Sequence, residues 1–389
     1  MKLKNIRVKA NKNDLDEVIN SAIKVTKPSN TELRKLSKIE GNIRKEIAEY
    51  SSPNIVDVRT YGSFEKQTGV KNDTDIDIFI LIDKNIDEVN FEKIALEVGF
   101  RSLKKFKPRT RYAEHPYVEG FVNLGGKGRD EVRINIVPCY DVEKGHWKSS
   151  ADRSQYHTKY MTEKLSQNQK DEVRVLKKFL KTAGSYGAEL STSGFSGYVS
   201  EVLILKFGNF KRVIQNIASL KNDGAIISMD DNVIEEKNYK KFSSPIIIID
   251  PIDPNRNLGA AISAESLSKF IMTARSFLRN PSMRFFKFDT TYIDKNLNNK
   301  FLKHKELLSK LVILEFCYSE RSPDVIWGQL KKLERSISKQ LDKAGFRVIR
   351  SNCYIEKKNT AKIVLLFDLI QIPEYVENIG PNIFMGSEV

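Results

Sequence analysis

Apolar and polar positions change period several times along the chain, and each change predicts an element. In "NDLDEVINSAIKV" (13–25) and "SNTELRKLSKIEGNIRKEIAEY" (29–50) the apolar residues recur at helical spacing, which predicts two opening helices, the second starting near Ser29 or Thr31. Strands are predicted at "IVDVRTYG" (55–62) and "IDIFILI" (76–82), then a helix at "VNFEKIALEVGF" (89–100) and a third strand at "EVRINIVPCY" (131–140), together a small mixed sheet. Helical spacing returns in "ADRSQYHTKYMTEKL", "NQKDEVRVLKKFLKTAG" and "GFSGYVSEVLILKFG", so a helical domain is expected from about Ala151 to Leu220. A linker rich in Asp, Asn and Gly leads to the apolar strand "PIIIID" and the turn-dense "DPIDPNRN". The last stretch reads as strand "KLVILEFCY", long helix "DVIWGQLKKLERSISKQLDKAG", and strands "RVIRSNCYIEK" and "AKIVLLFDLI". No internal repeat or low-complexity tract interrupts this order.

Size and composition turn these elements into an architecture. At 389 residues, with 40% hydrophobic residues, the chain is long enough for two or three cores. Lys and Arg number 65 against 50 Asp and Glu, a formal charge of +15, and the cations are spread along the chain. That balance suits a polyanionic partner, nucleic acid first among them, although a solubilising surface would also account for it. Cys139, Cys317 and Cys353 are odd in number and unpaired in spacing, and there are only four histidines, so neither a disulfide framework nor a zinc site is supported. The opening thirty residues lack the apolar core of a signal peptide, and no apolar run approaches the ~20 residues that span a bilayer, so a cytoplasmic location is expected.

The chemistry concentrates in "YGSFEKQTGVKNDTDIDIFILI" (61–82). Asp75 and Asp77 alternate with apolar residues at the mouth of a strand, so their side chains share a face with Cα atoms ~7 Å apart. Charges at the mouth of a buried strand are costly unless something binds them. Two such carboxylates can grip one or two hard cations, the arrangement that an in-line phosphoryl displacement uses. Gly62 allows close backbone approach, and Ser63 at a helix start offers a hydroxyl and N–H groups to phosphate, with Lys66 and Lys71 adding charge. The plain alternative, edge-of-strand acids and an ordinary turn, weakens once the Gly-Ser spacing is added.

Those residues resemble a known signature: "GS", eleven residues, then "DIDIFI" is similar to the polymerase-beta-type nucleotidyltransferase superfamily. Further blocks, "IVPCY" (136–140), "ADRSQYHTKYM" (151–161), "DEVRVLKKFLKTAGSYGAEL" (171–190), "GFSGYVSEVLI" (194–204) and "IIDPIDPNRNLGAAIS" (248–263), resemble the archaeal, class I CCA-adding tRNA nucleotidyltransferases, collinearly from about Lys27 to Pro381. The resemblance implies an α+β fold with four regions. A nucleotidyltransferase head (1–150) precedes a helical neck that helps select the nucleotide (151–220), a body (221–305) and an α/β tail that holds the tRNA acceptor end (306–389). It also implies template-independent addition of C, C and A to the 3' end of tRNA from CTP and ATP, with Mg²⁺ in a two-metal site. By matching position, Asp75 and Asp77 are the metal ligands. Gly62, Ser63 and Lys66 then form the triphosphate-binding turn, His157, Lys177 and Tyr186 contact the triphosphate or sugar, and Arg256 reads the base through its planar donor fork. Each also has an ordinary reading: a helix-packing histidine, a lysine on a polar helix face, a half-buried tyrosine and a turn network. A homodimer is compatible with the sequence.

Two departures from the family pattern change the expectation. The third carboxylate of the family falls at Asn135 in "RINIVPCY", where an amide offers an oxygen without charge; Glu131 shares the face but lies ~13 Å along the strand. Nucleotide binding is therefore expected to outlast transfer, and an aspartate at 135 to restore the rate. The end, "QIPEYVENIGPNIFMGSEV", stops short of the family's further helical sequence, which predicts a weaker or redirected grip on RNA. Two alternatives stay open: an oligoadenylate or poly(A)-type nucleotidyltransferase on the same scaffold, and a non-catalytic RNA-binding relative.

Overall fold

A computed structural model describes residues 12–50, 52–124, 131–221, 224–230, 242, 244–287, 305–319, 321–356, 359–368, 371 and 375. The C-terminal stretch from 376, on which the expectation of a weaker RNA grip rests, lies outside the described residues. The chain forms two compact units, residues 1–288 and 289–389.

In the first unit, α1 (Lys12–Thr26) and α2 (Asn30–Ala48) open the chain. Ser29 caps α2 by accepting from the Glu32 N–H, which fixes the start that the sequence placed at Ser29 or Thr31. A mixed sheet follows, built from β1 (Ile55–Tyr61), β2 (Ile76–Asp83), β3 (Arg109–Tyr112), β4 (Pro116–Asn123) and β5 (Glu131–Asp141) in the order β1-β2-β5-β4-β3. Only the β2–β5 pairing is parallel. The period-two alternation sorts each central strand. Ile76, Ile78, Ile80 and Ile82 of β2, with Ile134 and Ile136 of β5, pack against Leu36, Ile43 and Ile47 of α2 and Phe91 and Val98 of α4 (Glu88–Ser102). Phe79, Leu81 and Cys139 fall on the other face, and so by parity do Asp75, Asp77, Arg133 and Asn135. The apolar helices on one side thus force the polar set onto the opposite face. Strands β3 and β4 were not legible in the sequence; β4 is interrupted by Glu119 and Gly120, which obscures its period.

A one-turn helix α3 (Gly62–Glu65) separates β1 from β2. The helical region contains α5 (Arg153–Lys164), α6 (Gln167–Thr182), α7 (Gly197–Phe207) and α8 (Phe210–Ser219). Helix α9 (Ala264–Arg279), capped by Ser263, joins it without having been foreseen. Phe179, Phe210, Phe270, Phe277 and Phe286 form its aromatic centre. Helix α1 packs into this same core through Leu15, Ile19 and Ala22, so it covers the later helices rather than the sheet. The expected linker contains a strand, β6 (Ala225–Ile227), pairing in parallel with β7 (Ile246–Ile248).

The second unit contains α10 (Lys305–Ser309), β8 (Leu311–Cys317), α11 (Pro323–Lys343), β9 (Val348–Glu356) and β10 (Thr360–Phe367), its strands antiparallel in the order β8-β10-β9. Leu330 of α11 meets Ile363, Leu365 and Phe367 in a core of its own. The three cysteines form no disulfide. Among the described residues no helix is long and apolar enough to cross a membrane.

Candidate active site

The site begins at the mouth of β2. Gly62 sits at φ +77°, in the left-handed region, and a Cβ there would run into the Asp77 carboxylate, so this turn needs glycine twice over. Its N–H donates to Thr158 Oγ1 at 3.3 Å, which ties α3 to α5, and Ser63 follows in the first turn of α3.

Parallel register then pairs the two strands residue by residue. Asp77 lies opposite Asn135, whose Nδ2 donates to Asp77 Oδ1 at 2.7 Å. One step toward the mouth on the same face, Arg133 makes an ion pair with Asp75. Burial raises the pKa of Asp77, an effect that the bond from Asn135 offsets in part and the nearby Asp75 charge reinforces. Burial opposes the Arg133 charge, but the bond and charge of Asp75 prevail and its pKa is raised. Asn135 Oδ1 and Arg133 Nε are buried without a hydrogen-bond partner among the described residues. Turning the amide over would set two acceptors against each other at Asp77, so the donor must face the carboxylate and the oxygen is left over.

Whether this set fits the metals implied by its resemblance is decided by charge. Asp75 and Asp77 supply two negative charges, Arg133 opposes one, and Asn135 supplies none. One hard cation fits, with two carboxylates and the orphan amide oxygen as donors. By themselves these side chains do not balance the charge of a pair of divalent cations.

Deeper in the first unit lies a closed network of charge. Glu201 of α7, fully buried, accepts from Lys66 Nζ at 2.5 Å, Thr68 Oγ1 at 2.6 Å and Lys177 Nζ at 3.3 Å. Lys177 also donates to the Thr68 carbonyl at 3.1 Å. Burial alone would raise the pKa of Glu201, but the two ammonium groups hold it below the usual range, while burial pushes Lys177 down to about 8. The Tyr186 hydroxyl lies beside Lys177 across Gly197, where an added Cβ would stand 3.0 Å from the hydroxyl and 3.5 Å from the ammonium.

A third group lines a cleft of about 740 Å³ bordered by Phe79, His157, Tyr198 and Arg256. Asp250, buried, accepts from His157 Nε2 at 2.9 Å, from the Tyr198 hydroxyl at 3.2 Å and from Arg256 Nη1 at 3.4 Å. The His157 ring stacks on Tyr198, with centroids 3.9 Å apart. Burial lowers the pKa of His157 despite Asp250, so the ring is neutral near pH 7 and donates through Nε2–H.

The expected residues therefore fall into three clusters: Asp75, Asp77 and Asn135 on the strand face; Lys66, Lys177 and Tyr186 in the buried network; His157 and Arg256 in the cleft. Gly62 links the strand face to α5. Sequence reasoning passed over Arg133, Thr68, Glu201 and Tyr198; Asp250, with Asp253 and Arg256, was read as a turn network. Glu201 left a signal, a lone acid within "YVSEVLILKF", and Arg133 shares parity with Asn135. Helix α6, whose Lys177 could be read as a lysine on a polar helix face, instead buries Lys170, Arg174 and Lys177, with Arg174 paired to Asp171; the stretch 101–112 exposes Arg101, Lys104, Lys105 and Lys107.

Family models match at residues 41–157 (nucleotidyltransferase domain), 171–287 (tRNA nucleotidyltransferase, second domain) and 309–388 (CCA-adding enzyme, C-terminal domain). The CCA-adding enzyme of Saccharolobus solfataricus is 36% identical over 366 residues, 94% of this chain and 81% of that one. That of Methanocaldococcus jannaschii is 33% identical over 381 residues, 95% and 82% of the two chains. Among solved structures, the Cid1 poly(U) polymerase aligns with a TM-score of 0.54 at 14% identity, over 70% of this chain and 96% of that one, a likeness of fold. The chain belongs to the CCA-adding enzymes, a family of tRNA nucleotidyltransferases.

Proposed function

We propose that this chain adds C, C and A to tRNA lacking its 3' end, from CTP and ATP without a nucleic-acid template, and that Asn135 makes it slow. Catalysis in this family is metal-dependent and uses nucleotide substrates; that the metal is Mg²⁺ is part of the proposal. The observation that carries the reading is the single face on which Asp75 and Asp77 meet the Gly62 turn. A bound metal would lower the pKa of the attacking 3'-hydroxyl and neutralise charge on the phosphoryl oxygens.

The chain's own residues bind and orient. Asp75 and Asp77 would hold the cation. Gly62 and Ser63 would receive phosphate oxygens, and Lys66 and Lys177, held together by Glu201, would add a net positive field behind them. His157 and Tyr186 would steady the triphosphate or sugar. Arg256, braced by Asp250, would offer its remaining donors to a base edge. The exposed cations at 101–107 suit the phosphates of tRNA. Within this reading residues 1–150 act as head, 151–220 as neck, 221–305 as body and 306–389 as tail. A homodimer and a cytoplasmic location are compatible with it.

The test is incubation with CTP, ATP, Mg²⁺ and tRNA lacking its CCA end, followed on a sequencing gel. Slow stepwise addition of C, C and A is expected. Tails of A alone would favour an oligoadenylate or poly(A)-type activity. The Arg133–Asp75 pair favours a second reading, a non-catalytic RNA-binding relative, which tRNA binding without any extension would support.

A further inference from the structure

Two cross-strand pairs decide what the β2–β5 face can take, an inference that rests on Asp75 and Asp77 being the cation-holding carboxylates. Ile76 stands opposite Ile134 and Asp77 opposite Asn135 in parallel register, and Asp75 and Arg133 follow one step out on the same face. Both carboxylates are engaged from β5, Asp77 by an amide donor and Asp75 by a guanidinium. A guanidinium keeps its charge at any working pH, and its planar fork can reach two carboxylates set side by side. Arg133 therefore offsets one of the two negative charges from within, where a second divalent cation would otherwise be needed. The two residues on β5 act together: Asn135 brings no negative charge and Arg133 adds a positive one.

We propose that Arg133 takes the place of one of the two divalent cations, so that the site admits a single divalent cation together with a nucleoside triphosphate. The replacement Asn135→Asp alone then gives Arg133 a further carboxylate partner and no second cation. Restoration requires Asn135→Asp and Arg133→Thr together, threonine being suited to a strand and able to fill a partly exposed position.

The test counts Mn²⁺ by equilibrium dialysis on the full chain with a non-hydrolysable CTP analogue, whose own occupancy is measured alongside. One Mn²⁺ per bound nucleotide is expected for the parental chain and for Asn135→Asp, and two for the double variant, with a transfer rate rising by on the order of 10² or more only in the last. Two Mn²⁺ on the parental chain, or on Asn135→Asp alone, would overturn the proposal. So would a double variant that keeps its circular dichroism and nucleotide occupancy yet holds one. Should the double variant not fold, the Asn135→Asp count still decides. If the parental count matches that of Asp77→Ala, the carboxylate assignment itself fails and the proposal falls with it.

Discussion

The strand face at Asp75 and Asp77 and the buried network around Glu201 are built from the same groups in opposite proportion. At Glu201 two ammonium groups share one carboxylate, every group has a partner, and the excess charge is positive. On the strand face one guanidinium pairs with only one of two carboxylates, the excess is negative, and two buried polar atoms lack partners among the described residues. A positive, closed network suits a triphosphate whether or not chemistry follows. A negative, unfinished face suits one cation. On the proposed reading, the half of the site assigned to the nucleotide is thus complete while the half that would drive transfer is short of charge.

The largest expected effect lies on the strand face. Asp75→Ala should abolish transfer, a loss on the order of 10² to 10⁴ from whatever the chain achieves, with tRNA affinity unchanged, because phosphate contacts are made by cations elsewhere. Single-turnover assays beside filter binding measure both. A variant that keeps the parental rate would remove Asp75 from the chemistry and erase the contrast between the halves.

The buried network should respond in stability. Glu201→Ala strands Lys66 and Lys177 without their counter-ion, and removing one partner of a buried ion pair typically costs about 3–5 kcal/mol. Urea unfolding followed in the first unit should show that loss, and nucleotide affinity should fall with it. An effect below about 1 kcal/mol would mean that water reaches the network and that it is not closed.

How much of this could be read in advance follows the range over which each signal acts. Asp75, Asp77 and Gly62 were legible because their meaning is local: parity places both acids on one face, and the turn before them needs glycine. Arg133 was written two residues before Asn135, yet its role depends on β5 running parallel to β2 in a given register, which the intervening β3 and β4 bring about. Those strands were missed because β3 is four residues long and β4 is broken by Glu119 and Gly120. Glu201 acquires its meaning from partners more than 20 residues away in the chain, Lys66 among them, and Asp250 draws His157 and Tyr198 from as far besides its near partner Arg256. The basic character of α6 misled for the same reason, since its cations find internal acceptors.

The smallest expected effect separates the cleft from both halves and is one of pH. Burial depresses the pKa of His157 below that of the unfolded chain, and the pKa of Asp250 is also lowered, its bond to His157 overcoming burial. For each group the unfolded state binds more protons than the folded state as the solution is acidified, so both contributions to stability are full above the unfolded values and shrink as pH falls. For His157 the window opens just below its ordinary pKa of about 6.5, and Asp250 extends the decline below about 4. Thermal midpoints of the first unit should therefore drop between pH 7 and 5, and His157→Gln, which keeps a donor without a titrating ring, should flatten that part of the curve. The opposite slope, stability rising toward pH 5, would mean that Asp250 holds His157 protonated. The cleft would then carry a cation at neutral pH and belong with the positive network, and the contrast would narrow to the strand face alone.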